Sequence, residues 1–326
     1  MNNENYTKGI IFALGALFLV GLQPIIANSR PLSLDPYFFG ATTCIVEAII
    51  FFPLMLIERK RIRILHEKEL IPQEDISTLL NGWKNNKVLL IYIGINFGIA
   101  QVLFFWGYQL AGAINGSLSQ KTVVIFGLLF GYLINKEKVK YPQIIFSLVL
   151  FFGLILAVTA GKFNLLDFNI GVLLIIVVAT LWMLAHSLTK PILDRNEATP
   201  VQLVFIRNSL SGFFLISTYF ILFPIENFYL IFDSINLFFI ILMGLAYGFG
   251  LFCWYKVLAF LGISKGSAIT SGTPIVTIIF ATIILGEIFT IFHIMGTILV
   301  ITSVIIIVKP QKKENKDNLS IGVREI

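Results

Sequence analysis

Charge is scarce in this chain. Asp, Glu, Lys and Arg make up 13% of its 326 residues, where ordinary soluble domains carry about 25%. With 57% of residues hydrophobic, a water-soluble fold of this size could not hide its apolar surface, so lipid must replace water around most of the chain. Histidine is sparse as well: His66, His186 and His293 lie far apart, which excludes the clustered-histidine chemistry of membrane enzymes and offers no metal-ligand spacing. The two cysteines, Cys44 and Cys253, sit in separate apolar runs; they have no disulfide or metal spacing and read as buried thiols. A "GxxxxGK[ST]" phosphate loop is also missing, so ATP is not the expected energy source. No catalytic residue, metal ligand or cofactor is expected.

What is present is a series of long apolar runs. A membrane span takes roughly 20 mostly apolar residues, and that ruler gives ten: 9–27, 36–57, 87–110, 114–134, 142–160, 169–188, 200–223, 236–259, 267–285 and 290–308. The first follows directly on "MNNENYTKG", is too long for a signal-peptide core, and reads as a membrane helix. Pro36, Pro142, Pro200 and Pro310 fall at or beside proposed ends, where proline is tolerated. With the N-terminus inside, nineteen of the 24 lysines and arginines fall in inside segments and only Arg30 and Lys162 in outside loops. Basic residues favour the cytoplasmic side, so a multi-pass protein of the cell membrane with both termini cytoplasmic is expected. Topology and anionic headgroups account for the runs "ERKRIRILHEKE" and "KPQKKENK", and nucleic acid is not an expected partner. The loop 58–86 is the one long connection, its "ISTLLNGW" amphipathic enough to lie on the membrane surface, and the tail 310–326 is polar and expected to be disordered.

Two stretches of the chain match. "WGYQLAGAINGSLSQKTVVIFGLLFGYLINKE" aligns with "WYKVLAFLGISKGSAITSGTPIVTIIFATIILGE": Gly116-Ser117 falls on Gly266-Ser267 and Glu137 on Glu287. Pro36 in "DPYFFGATT" likewise pairs with Pro200 in "TPVQLVFIR". The expected fold is therefore all-α, ten transmembrane helices in two five-helix repeats, 1–162 and 163–309. Five is odd, so the second repeat enters the membrane from the opposite side. Inverted repeats of this kind build many secondary transporters, with substrate held near the midplane between the halves.

On these residues the chain resembles the drug/metabolite transporter superfamily, specifically its EamA-like ten-span group. The pattern is carried by "Leu-Ala…Gly-Ser…Pro…Leu-Gly-Glu" in 258–287, its degraded partner in 110–137, and Arg207 in "VQLVFIR". It departs from the group where Val124 stands opposite Pro274, Thr43 opposite Arg207, and Lys121 opposite Ser271. The resemblance implies a cavity lined by these spans and a transport function with export as its direction.

Polar residues inside the spans mark the candidate site. Lys121, Arg207 and Lys256 are the intramembrane cations. The stem of Lys256 can carry its charge to the interface, and Arg207 suits a structural pairing as well as a substrate contact. Lys121, with Ser117 one turn before it and Gln120 beside it, makes a polar face in the fourth span. A charge at that depth faces a partner or a wet cavity, so pairing with Glu47 and anchoring of an anionic substrate are both open. Glu47 also suits a proton carrier. Trp182 and His186 share one face of the sixth span, Gln101 and Tyr108 one face of the third, and Tyr247 and Trp254 one face of the eighth. Gln23-Pro24 is expected to break the first span, and Ser271 stands where the other half has Lys121. Glu137 and Glu287 read as helix caps. The expected activity is secondary transport of a small molecule by alternating access, first an amino acid or similar zwitterion held between Lys121 and Glu47, second exchange of organic phosphates, carboxylates or nucleotide-sugar-like anions, with a membrane enzyme or a channel ranked below both. Spans 5 and 10, poorest in charge, are the candidates for a homodimer contact.

Overall fold

The computed structural model describes residues 3–70, 72–134, 136, 138–162, 169–260 and 269–307. Among these residues every regular element is helical. In chain order they are α1 (Asn3–Ser29), α2 (Pro36–Glu67), α3 (Gln73–Asn81), α4 (Lys87–Ala111), α5 (Ala113–Gln120), α6 (Val123–Leu133), α7 (Tyr141–Val158), α8 (Ile170–Asp194), α9 (Pro200–Leu222), α10 (Ser234–Phe260), α11 (Thr273–Phe280) and α12 (Ile291–Ile307). Eight helical stretches are long and apolar enough to cross a membrane, α3 and α4 forming one of them and α5 with α6 another; the segments Thr273–Leu285 and Ile291–Ile307 are apolar but shorter. Local chemistry sets several starts. Asp35 accepts from the Tyr37 and Phe38 amides ahead of Pro36, and Thr199 with Gln202 forms a capping box around Pro200, which satisfies backbone donors the first turn leaves free.

The helix pairing has an exchange symmetry. α2 packs on α9 and α7 on α12, while the pairs α4–α8 and α1–α10 exchange when the two halves are swapped. The α7–α12 pair is drawn close at Gly153 and Gly296, where a Cβ on Gly296 would lie 2.5 Å from the Gly153 carbonyl oxygen. Small residues let backbones approach in this way where lipid supplies no hydrophobic drive.

Two expectations change here. α1 runs unbroken through Pro24, its packing against α10 and α11 holding the helix where proline alone would loosen it. The 58–86 connection is also more ordered than a surface loop: α2 continues to Glu67, and α3 folds back to bury Leu79 and Leu80 against Ile62. This assembly clamps the second half. Thr199 donates to Glu58, Gln202 to the Leu79 carbonyl at 3.0 Å, and Asn86 to Glu197 at 2.7 Å. Arg195 also donates to Glu197 at 2.7 Å and holds that carboxyl below its usual range. At the opposite end Arg30 joins the α1–α2 turn to α4, donating to the Ala27 and Leu34 carbonyls and to Gln109. Its burial lowers the guanidinium to about 10. Glu137 and the 310–326 tail lie outside the described residues.

Candidate functional site

The span read as continuous over 114–134 is broken. α5 ends at Gln120 and α6 begins at Val123. Three hydroxyls explain the break: Ser117 donates to Ile114, Ser119 to Asn115 and Thr122 to Ser119, all backbone carbonyls of the preceding turn. Hydroxyls that bond backward in this manner bend helices, and the Lys121 and Thr122 amides shift to carbonyls three residues back. The corresponding place in the second half is also a turn, Ser271-Gly272 ahead of α11, where Pro274 has no amide to give and Thr273 donates to the Thr270 carbonyl at 2.6 Å. Paired interruptions in equivalent spans are what transporter sites are built from.

Lys121 joins the two breaks. The residue is 9% exposed, and its ammonium donates at 3.0 Å to the Thr270 carbonyl. That is its single partner among the described residues, a neutral oxygen with no counter-charge.

Glu47 is held elsewhere, so of the two roles open to Lys121 the pairing with Glu47 is not formed. Fully buried on α2, Glu47 accepts from Asn208 at 2.7 Å and from Gln101 at 3.4 Å, and pairs with Arg207 at 3.5 Å. Arg207, 3% exposed, also donates to Asn208 and lies over the Phe97 ring at 4.4 Å. This closed network binds α2 to α9 and α4. Its signal in the sequence is a pair of opposite charges in equivalent spans, the second of each half. Asn208 and Phe97 were not singled out by sequence reasoning; Asn208 follows Arg207 directly and is polar in an apolar run, which is the clue that was there.

Rings fill the space between these two groups. Tyr108 donates to Gln120 at 2.9 Å, beside Lys121. Phe104 touches Tyr108, Trp182 and Tyr247, with centroids 4.6, 5.6 and 5.8 Å apart. His186 meets Phe97 and Tyr255 edge to face at 5.3 and 6.0 Å. So Gln101, Tyr108, Gln120, Trp182, His186, Arg207 and Tyr247 come together around one centre. Ser271 is buried at the second break. Gln23 reaches only the Ala246 carbonyl, at 3.5 Å. Trp254 does not join: about two turns beyond Tyr247 along α10, it packs with Phe12, Ala13 and Val257. Glu287 caps a helix as expected, although on the other half of the chain. It accepts from the Ala113 and Ile114 amides at 2.6 and 2.9 Å, where Gly112 links α4 to α5 at φ +77°.

The broken, exchange-related spans are those of a transporter, and the model of the EamA-like transporter family matches residues 7–159 and 169–309. This chain belongs to the EamA-like transporter family. A curated relative from Methanothermobacter thermautotrophicus, called an uncharacterized transporter, is 26% identical over 214 residues, which span 64% of this chain and 60% of that relative. One solved crystal structure superposes with a TM-score of 0.60 at 11% identity, covering 92% of this chain and 96% of the other, a likeness of fold alone. The EamA-like protein is thus a multi-pass membrane protein of a transporter family.

Proposed function

We propose that this EamA-like protein is a secondary transporter of ten spans that moves a small organic acid out of the cell by alternating access, its carboxylate or phosphate taken by Lys121. Both termini face the cytoplasm, and the two repeats, 1–162 and 163–309, are inverted about an axis in the membrane plane. The observation that carries the substrate end is the bonding of Lys121. A buried ammonium whose only acceptor among the described residues is a backbone carbonyl gains from any anion that reaches it. Glu47 and Arg207 cancel, so Lys121 leaves the centre with one positive charge in excess.

That balance reverses the order expected from sequence. A zwitterion would need Glu47 for its ammonium, and Glu47 is already saturated by Arg207, Asn208 and Gln101. The outward faces of α7 and α12, opposite their shared contact, are where a homodimer would form.

Proteoliposomes test this reading. Uptake of an organic acid should saturate and show counterflow, and Lys121→Gln should abolish both. A flux that rises linearly without counterflow would mean a channel, and counterflow unchanged in Lys121→Gln would remove Lys121 from the site.

A further inference from the structure

We infer that the ring cluster of α4, α8 and α10 seats a planar heterocyclic part of the transported molecule, so that the substrate class is a heteroaromatic carboxylate. The inference rests on the reading of Lys121 as the anion anchor and adds what lies at the other end of the substrate.

Three observations converge. First, two ring triplets, Phe104–Trp182–Tyr247 and Phe97–His186–Tyr255, have centroids between 5.3 and 6.2 Å, the separations at which aromatic rings attract, and Trp182 and His186 set them one turn apart on α8. A planar guest can replace these contacts in kind. Second, the cluster has unspent polarity. The indole Nε1 of Trp182 and Nδ1 of His186 are buried and have no hydrogen-bond partner among the described residues. Both residues lie on one face of α8, a single turn apart. An unpaired buried donor carries a desolvation penalty, and it is removed when a guest brings an acceptor. A ring with adjacent polar positions meets the indole N–H and the imidazole nitrogen together; a plain hydrocarbon ring meets neither. Third, the cluster is joined to the anchor. Phe104 packs against Tyr108 at an interplanar angle of 59°, Tyr108 donates to Gln120, and Gln120 precedes Lys121, so a contiguous chain of side chains leads from the rings to the residue that carries the ammonium.

Binding to the purified full-length protein distinguishes the two ends, with four probes: orotate (a pyrimidine carboxylate), uracil, benzoate and succinate. Expected is orotate tightest, then benzoate, then succinate. Trp182→Phe, which keeps a ring and removes the N–H, should weaken orotate about tenfold and leave benzoate unchanged, benzoate thereby reporting that the variant is folded. Lys121→Gln should weaken the three carboxylates and leave uracil as it was. Succinate binding as tightly as orotate, or an orotate-to-benzoate ratio unmoved by Trp182→Phe, overturns the ring seat while leaving Lys121 as the anchor. Uracil binding as tightly as orotate, with neither sensitive to Lys121→Gln, overturns the anchor and keeps the ring seat. Failure of all four probes overturns both.

Discussion

Arg207 and Lys121 are both cations buried within the bundle, and they are furnished very differently. Arg207 has a carboxylate, an amide and two aromatic faces around it. Among the described residues Lys121 has one carbonyl oxygen. The planar guanidinium suits fixed, many-sided contact, whereas an ammonium on a flexible stem behaves as a point charge that changes partner easily. The difference separates architecture from function. A cation whose every direction is occupied holds helices together; a cation with one weak partner waits for something better.

The comparison can be broken most severely on the Arg207 side. Arg207→Leu leaves Glu47 buried and unpaired, a loss of about 3–5 kcal/mol for removing one partner of a buried ion pair. The variant should melt far below the wild type in a thermal unfolding assay, and a melting point unchanged would mean that the network is ornamental. Next in size is Gly153→Leu, which places a branched side chain where α7 and α12 nearly touch. A Cβ there already lies 2.8 Å from the Cβ of Leu299, and overpacking of this kind costs about 1–3 kcal/mol, readable in the same assay. Lys121→Met should be milder, within about 1 kcal/mol for one hydrogen bond, yet should remove transport of organic acids. Stability kept while flux is lost is the signature that sets Lys121 apart from Arg207; equal destabilisation of the two variants would erase the distinction.

The smallest effect concerns the clamp at the 58–86 end. Arg195 holds the Glu197 carboxyl below its usual value of 4.5. A carboxylate favoured in the fold adds stability above its unfolded value and loses it as pH falls through the folded one. Glu197→Gln should therefore flatten the acid limb of the stability profile below about pH 4.5, by less than about 1 kcal/mol for an exposed pair.

Much of the fold could be read from the chain because the membrane restricts the choices. Run length placed nearly every helix, and Asp35-Pro36 and Thr199-Pro200 marked two starts by their own chemistry. The break at Ser271-Gly272 is legible too, since Gly272 and Pro274 are both helix breakers. The break at Lys121 was not, because no glycine or proline stands there; three side-chain hydroxyls acting on the backbone cause it, and hydropathy is blind to them. The partner of Glu47 stayed open in the sequence for a related reason. Depth in the membrane can be estimated from sequence, but rotation about a helix axis is fixed by neighbours, and it is rotation that turns Glu47 toward Arg207.

The length of α2 has a mechanical consequence. Its thirty-two residues make a rod of about 48 Å, with Glu47 at the central charges and α3 carried at the far end. From Glu47 to Glu67 is about 30 Å of helix, so a tilt of 10° about Glu47 would move the far end, and the clamp attached to it, through about 5 Å by simple leverage. Small rearrangements deep in the bilayer are thereby magnified into displacements in water, where a spectroscopic label near Glu67 could follow each transport cycle without touching the binding centre.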